Sequence, residues 1–356
     1  MDSKRRLFLR ATAAALASPA YALDGARPVP IADMHSHYGM LLRKMGDSGL
    51  AADMRASGVA LVAWKLIADN RWIRATTFGI EQVSVPAAGD LARHFDSTLE
   101  RMKAYLAAEK LAVVRTRADV DACLAGVPGV VVASEGADFL EGRLEGLGRA
   151  YDAGLRHLQL VHYIATPVGD FQTARPTHNG LSQMGRELVA ACTDKGILVD
   201  LAHCSAAALD QALAIAKGPV VWSHGWVDAR EGDWRDQYGY LSRRLSIDQA
   251  KKIADRGGVV GVWGLGLLRP TGAWPVGRGD AKAYARELAA LVDKIGADHV
   301  AIGTDIEGMG RDWTVNSYGE VRGMIEYLQE LKLPEATIEK VACGNYARVL
   351  KSAFTT

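Results

Sequence analysis

The stretch on which the fold prediction rests is ILVDLAHCS, residues 197–205. Its apolar start, Ile197–Leu201, follows a segment with helical periodicity at Met184–Lys195 and precedes another at Ala206–Ala216. A short apolar run between two helices is typical of a strand in a parallel sheet that helices cover on both faces. The run leads into a histidine, and this combination of strand, helix and polar residue at the strand end recurs along the chain.

Eight short apolar runs of this kind are predicted to be strands. They are Val29–Ala32, Ala60–Leu66, Val130–Ala133, His157–Val161, Ile197–Leu201, Val220–Trp222, Gly258–Trp263 and Val300–Gly303. Helices are predicted at Leu91–Leu111, Met184–Lys195, Ala206–Ala216, Ile247–Arg256, Ala281–Ile295 and Glu335–Leu350. Eight alternating units predict an α/β fold, a closed TIM-type (β/α)8 barrel. A doubly wound open sheet is the alternative, but no G-x-G-x-x-G follows the first run.

The composition fits one globular domain. The chain has 356 residues, a normal length for one α/β barrel, and 49% of them are hydrophobic. A formal net charge of +1 gives no strong electrostatic footprint for nucleic acid or an acidic membrane surface. No linker-like stretch divides the chain, so residues 23–356 are predicted to form one domain. The four cysteines lack C-x-x-C spacing, and their pairing stays open.

The first 22 residues have the features of an export signal. A basic region with the pair Arg5-Arg6 precedes a short apolar run, Ala11–Ala17, and an A-x-A cleavage signature ends at Ala22. The run is too short to span a bilayer. This arrangement resembles a twin-arginine signal and predicts a periplasmic or secreted protein. A basic helix at a cytosolic terminus is the alternative.

Side chains that commonly bind metals follow six of the predicted strands. They are His35, His37, Glu135, His162, His203, His224 and Asp305. Residues two apart in an extended segment point to the same side, so His35 and His37 can reach one ion. The carboxyl ends of the strands form the active-site face of a TIM barrel. Because five of the nine histidines fall at this face, the sequence predicts a metal site there.

The residue types also indicate a reaction. Imidazole and carboxylate suit zinc and similar cations, and the two oxygens of Glu135 could bridge two ions. A pair of ions lowers the pKa of a water molecule and polarises a carbonyl group. A nearby carboxylate such as Asp305 can pass the proton of the attacking water to a leaving amine.

Several motifs occur in one order from the first strand to the end of the chain. They are HSH at 35–37, SEG at 134–136, LQLVH at 158–162, NGLS at 179–182, DLAHCS at 200–205, SH at 223–224, GTDIEG at 303–308 and GNYARVL at 344–350. This series resembles the membrane (renal-type) dipeptidases, peptidase family M19. The resemblance implies a dinuclear zinc site in which His35 and His37 hold the first ion, Glu135 bridges, and His203 and His224 hold the second.

The same resemblance implies the residues that act on the substrate. His162 would contact the substrate and stabilise the tetrahedral intermediate, and Asp305 would transfer the proton. The arginine that holds the substrate carboxylate matches best at Arg244, with Arg243 and Arg235 as competitors. A homodimer is suggested by analogy alone.

One position departs from the family pattern. The family usually has His-x-Asp on the first strand, whereas this chain has His35-x-His37. A neutral imidazole replaces a carboxylate, which leaves metal identity and affinity at the first position open. If one ion is held tightly, the unbroken pattern at His203 and His224 favours that half.

Three functions compete at this point. The leading prediction is an exported zinc dipeptidase that hydrolyses the peptide bond of a dipeptide held by its free carboxylate. The second is another amidohydrolase that acts on an N-acyl amino acid, a cyclic amide or a lactone. The third is a non-catalytic periplasmic metal- or solute-binding protein, although metal storage needs neither Asp305 nor His162. The leading prediction expects a small-molecule substrate, a dipeptide or related amide, with no nucleic acid and no membrane once the signal is removed.

Overall fold

The computed structural model describes residues 28–41, 45–47, 49–76, 79–228, 240–264, 280–308 and 315–355. The predicted export signal at 1–22 lies outside these ranges, as does Arg235. The domain division at residue 22 therefore stays a prediction. Within the described ranges, no helix is both long enough and apolar enough to cross a bilayer.

Eight parallel strands form the centre of the fold. They are β1 (Ile31–Ser36), β2 (Val59–Ile67), β3 (Gly129–Glu135), β4 (Leu155–Gln159), β5 (Leu198–Asp200), β6 (Val221–Trp222), β7 (Val259–Val262) and β8 (Val300–Ile302). Each strand pairs with the next along the chain. β8 pairs back with β1 at Ile302 and Asp33, which closes the sheet. The TIM-type (β/α)8 barrel predicted from the sequence is confirmed, and the open sheet is excluded.

Helices surround the barrel on its outer face. They are α1 (Leu50–Ser57), α2 (Asp90–Ala108), α3 (Arg117–Leu124), α4 (Glu145–Asp152), α5 (Gln183–Lys195), α6 (Ala206–Ile215), α7 (Ile247–Asp255), α8 (Ala281–Ile295), α9 (Tyr318–Glu330), α10 (Glu335–Glu339) and α11 (Asn345–Ala353). The helix predicted at Glu335–Leu350 contains a π-helical turn, Lys340–Gly344, between α10 and α11. The sequence analysis missed α1, α3, α4 and α9, of which the first three have only eight residues each.

Local capping explains where two of these helices begin. The Ser182 side chain accepts a hydrogen bond from the Gly185 amide at the start of α5. Ser246 and Gln249 form a reciprocal capping box at the start of α7. α5 ends at Gly196, whose φ of 77° lies in the left-handed region that glycine adopts without strain.

The interior of the barrel changes character along its axis. Small and medium apolar residues fill the amino-terminal part, among them Ala32, Leu61, Val131 and Leu198. Further along, Lys65 is fully buried and its Nζ lies 2.8 Å from Oδ2 of Asp200. Beyond this ion pair the strand ends present the polar cluster described next. All four cysteines are free and buried, so the chain forms no disulfide among them.

Candidate active site

The side chains predicted at the strand ends meet in one buried cluster at the carboxyl face of the barrel. None of them exceeds 4% exposure, and each lies in its strand or within three residues of its end. They are His35 and His37 (β1), Glu135 (β3), His162 (β4), His203 (β5), His224 (β6) and Asp305 (β8). The parallel barrel explains this convergence, because all eight carboxyl ends open on one face.

Glu135 is at the centre of the cluster and contacts a pair of histidines with each oxygen. Its Oε2 lies 2.8 Å from Nε2 of His37 and 3.5 Å from Nε2 of His35. Its Oε1 lies 3.1 Å from Nε2 of His203 and 3.4 Å from Nε2 of His224. We call His35, His37 and Oε2 the first half of the cluster, and His203, His224 and Oε1 the second half.

His37 shows why this geometry fits a metal ion. Its Nδ1 lies 3.0 Å from the Lys65 carbonyl oxygen, which can only accept, so Nδ1 carries the ring hydrogen. Nε2, which lies 2.8 Å from Oε2 of Glu135, is then the ring nitrogen available to an ion. Two further atoms lie close to Nε2 of His37. They are Nε2 of His35, at 3.1 Å, and Oδ1 of Asp305, at 3.4 Å. Nitrogen and carboxylate donors of this kind bind zinc-like cations.

Two site residues occupy backbone conformations that side chains rarely adopt. His203 has a φ of 70° and Asp305 a φ of 53°, both in the left-handed region. Such conformations cost of order 1–3 kcal/mol each and cluster at functional sites. Each residue lies three positions after the end of its strand, in the segment that carries its side chain into the cluster.

A carboxylate beneath the cluster fixes β1 to the segment after β8. Asp33 accepts hydrogen bonds from the Thr304 amide at 2.9 Å, the Thr304 hydroxyl at 2.6 Å and the Tyr318 hydroxyl at 3.1 Å. The Asp305 amide donates to the His35 carbonyl at 2.8 Å. These bonds hold Asp305 beside His35. Burial raises the pKa of Asp33 to about 6, although its hydrogen bonds act in the opposite direction.

The second half lies against a buried arginine. Arg243 is fully buried; its Nη2 lies 2.8 Å from Nε2 of His224, and its Nη1 donates to Oε1 of Gln172 at 2.8 Å. Its Nε has no hydrogen-bond partner among the described residues. A buried guanidinium with an uncommitted donor is suited to an anionic group of a ligand.

The two arginines that the sequence analysis compared most closely, Arg244 and Arg243, differ in their surroundings. Arg244, the favoured residue, begins the short strand Arg244–Ser246, which pairs with Trp226–Asp228, and its side chain is half-buried. Arg243 is the last residue of the 3-10 helix Tyr240–Arg243, which directly precedes this strand. Arg243 is the residue whose guanidinium reaches the cluster, and it was named only as a competitor.

His162 is held by a carboxylate that the sequence analysis did not single out. Its Nδ1 lies 2.8 Å from Oδ1 of Asp69, and its Nε2 lies 3.5 Å from Oε1 of Glu135. Burial alone would lower the pKa of His162, but the charges of Asp69 and Glu135 outweigh it and raise that pKa to about 9. Nδ1 donates to Asp69, and because the raised pKa keeps the ring protonated near neutral pH, Nε2 also carries a hydrogen and faces the cluster.

The other side chains of the cluster show the opposing effects of burial and charge. Burial lowers the pKa of His35 to about 3 and holds the pKa values of His203 and His224 well below their usual range. Burial, and after it the charge of Glu135, raises the pKa of Asp305 well above its usual range. Neutral imidazoles are the form that binds a metal, and a cation at the cluster would favour the ionised form of Asp305.

Three contributors to the site went unnoticed in the sequence: Asp69, Lys65 and Ser223. Lys65 lies on β2 and Asp69 lies two residues after its end, and charged residues in and beside an otherwise apolar strand are a signal of a polar site. Ser223 precedes His224 in a quoted motif, but nothing in its sequence context indicates which ring it contacts.

Comparison with known proteins places this barrel in a family. Residues 29–356 match the family model described as membrane dipeptidase, peptidase family M19. A Klebsiella pneumoniae protein of the pqqA 5′ region is 27% identical over 69% of this chain and 90% of its own length. Dipeptidase 3 of Mus musculus is 26% identical over 65% of this chain and 44% of its own length. The chain spans about half the length of the curated dipeptidases it matches.

A solved structure shows the same fold. A Rhodobacter sphaeroides metallopeptidase, liganded with a phosphinate mimic of the dipeptide L-Ala-D-Ala, superposes with a TM-score of 0.74 at 21% identity. The match covers 92% of this chain and 100% of that one. The family match and the two groups of potential ligands together support metal-dependent hydrolysis. Because the family match includes all eight strands and every predicted ligand, this chain belongs to the membrane dipeptidase family, peptidase family M19.

Proposed function

We propose that this chain is an exported zinc dipeptidase that binds two ions, one in each half of the cluster, with Glu135 between them. The observation that carries the proposal is that each oxygen of the Glu135 carboxylate faces its own histidine pair, at 2.8–3.5 Å on one side and 3.1–3.4 Å on the other. Four imidazoles and one shared carboxylate are the kind of donors that zinc prefers. When bound, the ions would polarise the scissile carbonyl and lower the pKa of the attacking water.

The chain's own residues supply proton transfer and orientation. Oδ1 of Asp305 faces the first half and has no hydrogen-bond partner among the described residues, so it is available to accept the proton of the attacking water. The same carboxyl group then donates that proton to the leaving amine. His162, oriented by Asp69, presents Nε2–H toward the side where Oε1 of Glu135 lies and stabilises negative charge on the carbonyl oxygen.

Arg243 defines the substrate class in this proposal. Its guanidinium is buried beside the second half and keeps one donor uncommitted, which favours a substrate with a free carboxylate. Dipeptides and N-acyl amino acids have such a carboxylate, whereas simple lactones and cyclic amides do not. We place the dipeptide first because the family is named for it, and the other classes are outcomes of the test.

The test is a substrate panel on purified protein with its metal content measured in parallel. The panel compares L-Ala-D-Ala, L-Ala-L-Ala, N-acetyl-L-alanine and a simple lactone, before and after chelation and with Zn²⁺ restored. We expect dipeptide hydrolysis that is lost on chelation and recovered with Zn²⁺. Preference for the N-acyl amino acid or the lactone would replace the dipeptide assignment. No hydrolysis of any of them with metal present would favour a binding protein.

Export and assembly are separate parts of the proposal. The pair Arg5-Arg6 and the A-x-A site at Ala22 support export by the twin-arginine route, with a mature chain that begins at Leu23. Replacing both arginines with lysine should leave precursor in the cytoplasm, and normal export of that variant would remove the twin-arginine assignment. A homodimer, suggested by family resemblance, is tested by light scattering of the mature chain.

A further inference from the structure

Ser223 lies between the two halves of the cluster and contacts one histidine from each. Its Oγ is 2.9 Å from Nδ1 of His35 in the first half and 3.2 Å from Nδ1 of His224 in the second half. The side chain is fully buried. Among the described residues, Ser223 is the one whose side chain contacts the Nδ1 atoms of predicted ligand histidines in both halves.

The fold forces Ser223 into this position. The Ser223 amide donates to Oδ1 of Asp200 at 3.0 Å, and Oδ2 of Asp200 is fixed by Lys65 at 2.8 Å. On the other side, the Ser223 carbonyl oxygen fills the space above Gly261 and Gly303, where a Cβ at either position would overlap it. The backbone of Ser223 can lie here because Gly261 on β7 and Gly303 directly after β8 leave room for it.

The chemistry of the hydroxyl matches what two metal-binding imidazoles require. A histidine that binds an ion through Nε2 carries its hydrogen on Nδ1, which then needs an acceptor. A serine oxygen has two lone pairs, so Oγ of Ser223 can accept from His35 and His224 at the same time. With an ion on each Nε2, this one oxygen can thus hold the ring orientation of a ligand in each half.

We propose that Ser223 is a positioning residue that holds His35 and His224 for metal binding and so links the affinities of the two halves. The inference rests on the proposed dinuclear function. Loss of an outer hydrogen-bond partner of a metal ligand typically weakens metal binding by about 10- to 100-fold. Ser223→Ala should therefore weaken both ions by about that factor, whereas an outer partner confined to one half would weaken only one.

The experiment measures Zn²⁺ affinity by competition with a chromophoric chelator, in the full mature chain and without reference to turnover. Wild type and Ser223→Ala are titrated, and each binding step is assigned with single-ligand variants: His203→Ala leaves the first half intact and His37→Ala leaves the second. Co²⁺ spectra of the same proteins report ligand geometry in each half. If the alanine variant fails to fold, Ser223→Cys replaces it in the titration. A cysteine has nearly the same volume as serine, but its sulfur is a weak hydrogen-bond acceptor.

Ser134→Ala is the matched control. Ser134 is also fully buried and adjoins Glu135, but its hydroxyl donates to the Gly136 carbonyl at 2.7 Å and has no recorded contact with a ligand histidine. We expect Ser134→Ala to change the affinity for each ion by less than about threefold. That is less than the loss of affinity when an outer hydrogen-bond partner of a ligand is removed.

The outcomes separate this inference from the proposed function. Weakening of both steps by Ser223→Ala, with altered Co²⁺ spectra in both single-ligand backgrounds, would support it. Weakening of one step only, or an equal effect of Ser134→Ala, would overturn it. Wild type that binds two ions while Ser223→Ala leaves both unchanged would refute the inference alone. Wild type that binds fewer than two would refute the dinuclear proposal.

Discussion

The two halves of the cluster share Glu135 but differ in what surrounds them. In the first half, both outer nitrogens have an acceptor: Nδ1 of His35 contacts Ser223, and Nδ1 of His37 contacts the Lys65 carbonyl. In the second half, Nδ1 of His224 contacts Ser223, whereas Nδ1 of His203 has no partner among the described residues. The first half is therefore the more completely oriented of the two.

The charges around the two halves also favour metal binding in the first half. The carboxylate of Asp305 faces the first half, with Oδ1 3.4 Å from Nε2 of His37. The guanidinium of Arg243 faces the second, with Nη2 2.8 Å from Nε2 of His224. A bound cation is attracted by the Asp305 carboxylate and repelled by the Arg243 guanidinium. We therefore expect the tighter ion in the first half, the reverse of what the family pattern of the sequence favoured.

Glu135→Gln should have the largest effect because it removes the charge common to both halves. We expect the affinity for both ions to fall more than about a hundredfold, a larger loss than removal of a ligand's outer hydrogen-bond partner usually causes. Hydrolysis should then fall below detection at ordinary zinc concentrations. Metal analysis after gel filtration checks this. If only one ion were lost, Glu135 would belong to one half and would not bridge.

Asp305→Asn should separate proton transfer from metal binding. The amide keeps the shape of the side chain but cannot accept the proton, so kcat should fall by about a hundred- to ten-thousand-fold. The ion of the second half should remain, since Asp305 faces only the first. Single-turnover kinetics on metal-analysed protein measure both effects, and a kcat near that of wild type would rule out the proposed role.

Arg243→Ala should raise KM for dipeptides about ten- to hundredfold, the usual value of a charged hydrogen bond, and should weaken discrimination against uncharged amides. Arg244→Ala is the matched control, with the same change one residue away, and should leave KM within about twofold because the proposed charged hydrogen bond to the substrate comes from Arg243. Steady-state kinetics of the pair decide between the two residues. A stronger effect at Arg244 would restore the assignment made from the sequence.

Asp69→Asn should give the smallest effect of the series. It keeps a hydrogen-bond partner for His162 but removes the charge that holds the ring in one orientation, and we expect kcat to fall about three- to tenfold with KM and both ions unchanged. This fall in kcat is smaller than the fall expected when a general acid or base is itself removed. A change in metal content would show that Asp69 acts on the cluster as a whole.

The strands and most ligands could be predicted because each carries its own local signal. An apolar run such as Ile197–Leu201 can bury both faces only inside a covered parallel sheet, and the closing of that sheet brings every strand end to one face. His203 and Asp305 were found from their place after a strand, even though their left-handed backbone was not foreseen.

The parts that were missed depend on contacts between distant segments. Whether Arg243 or Arg244 points into the cluster depends on the register of a short strand against Trp226–Asp228. The hydroxyl of Ser223 reaches His35 across 188 positions of sequence, and Asp69 reaches His162 across 93. Neither pairing has a local signature, because each arises only when the barrel closes.

The measurement that tests the account most directly is a zinc titration of the mature chain and of His37→Ala and His203→Ala. The account predicts two ions per wild-type chain. It also predicts that His203→Ala keeps the tighter ion and that His37→Ala loses it. A single ion per chain that is indifferent to removal of His203 or His224 would contradict the dinuclear centre, and loss of the tighter ion from His203→Ala would reverse the order of the two halves.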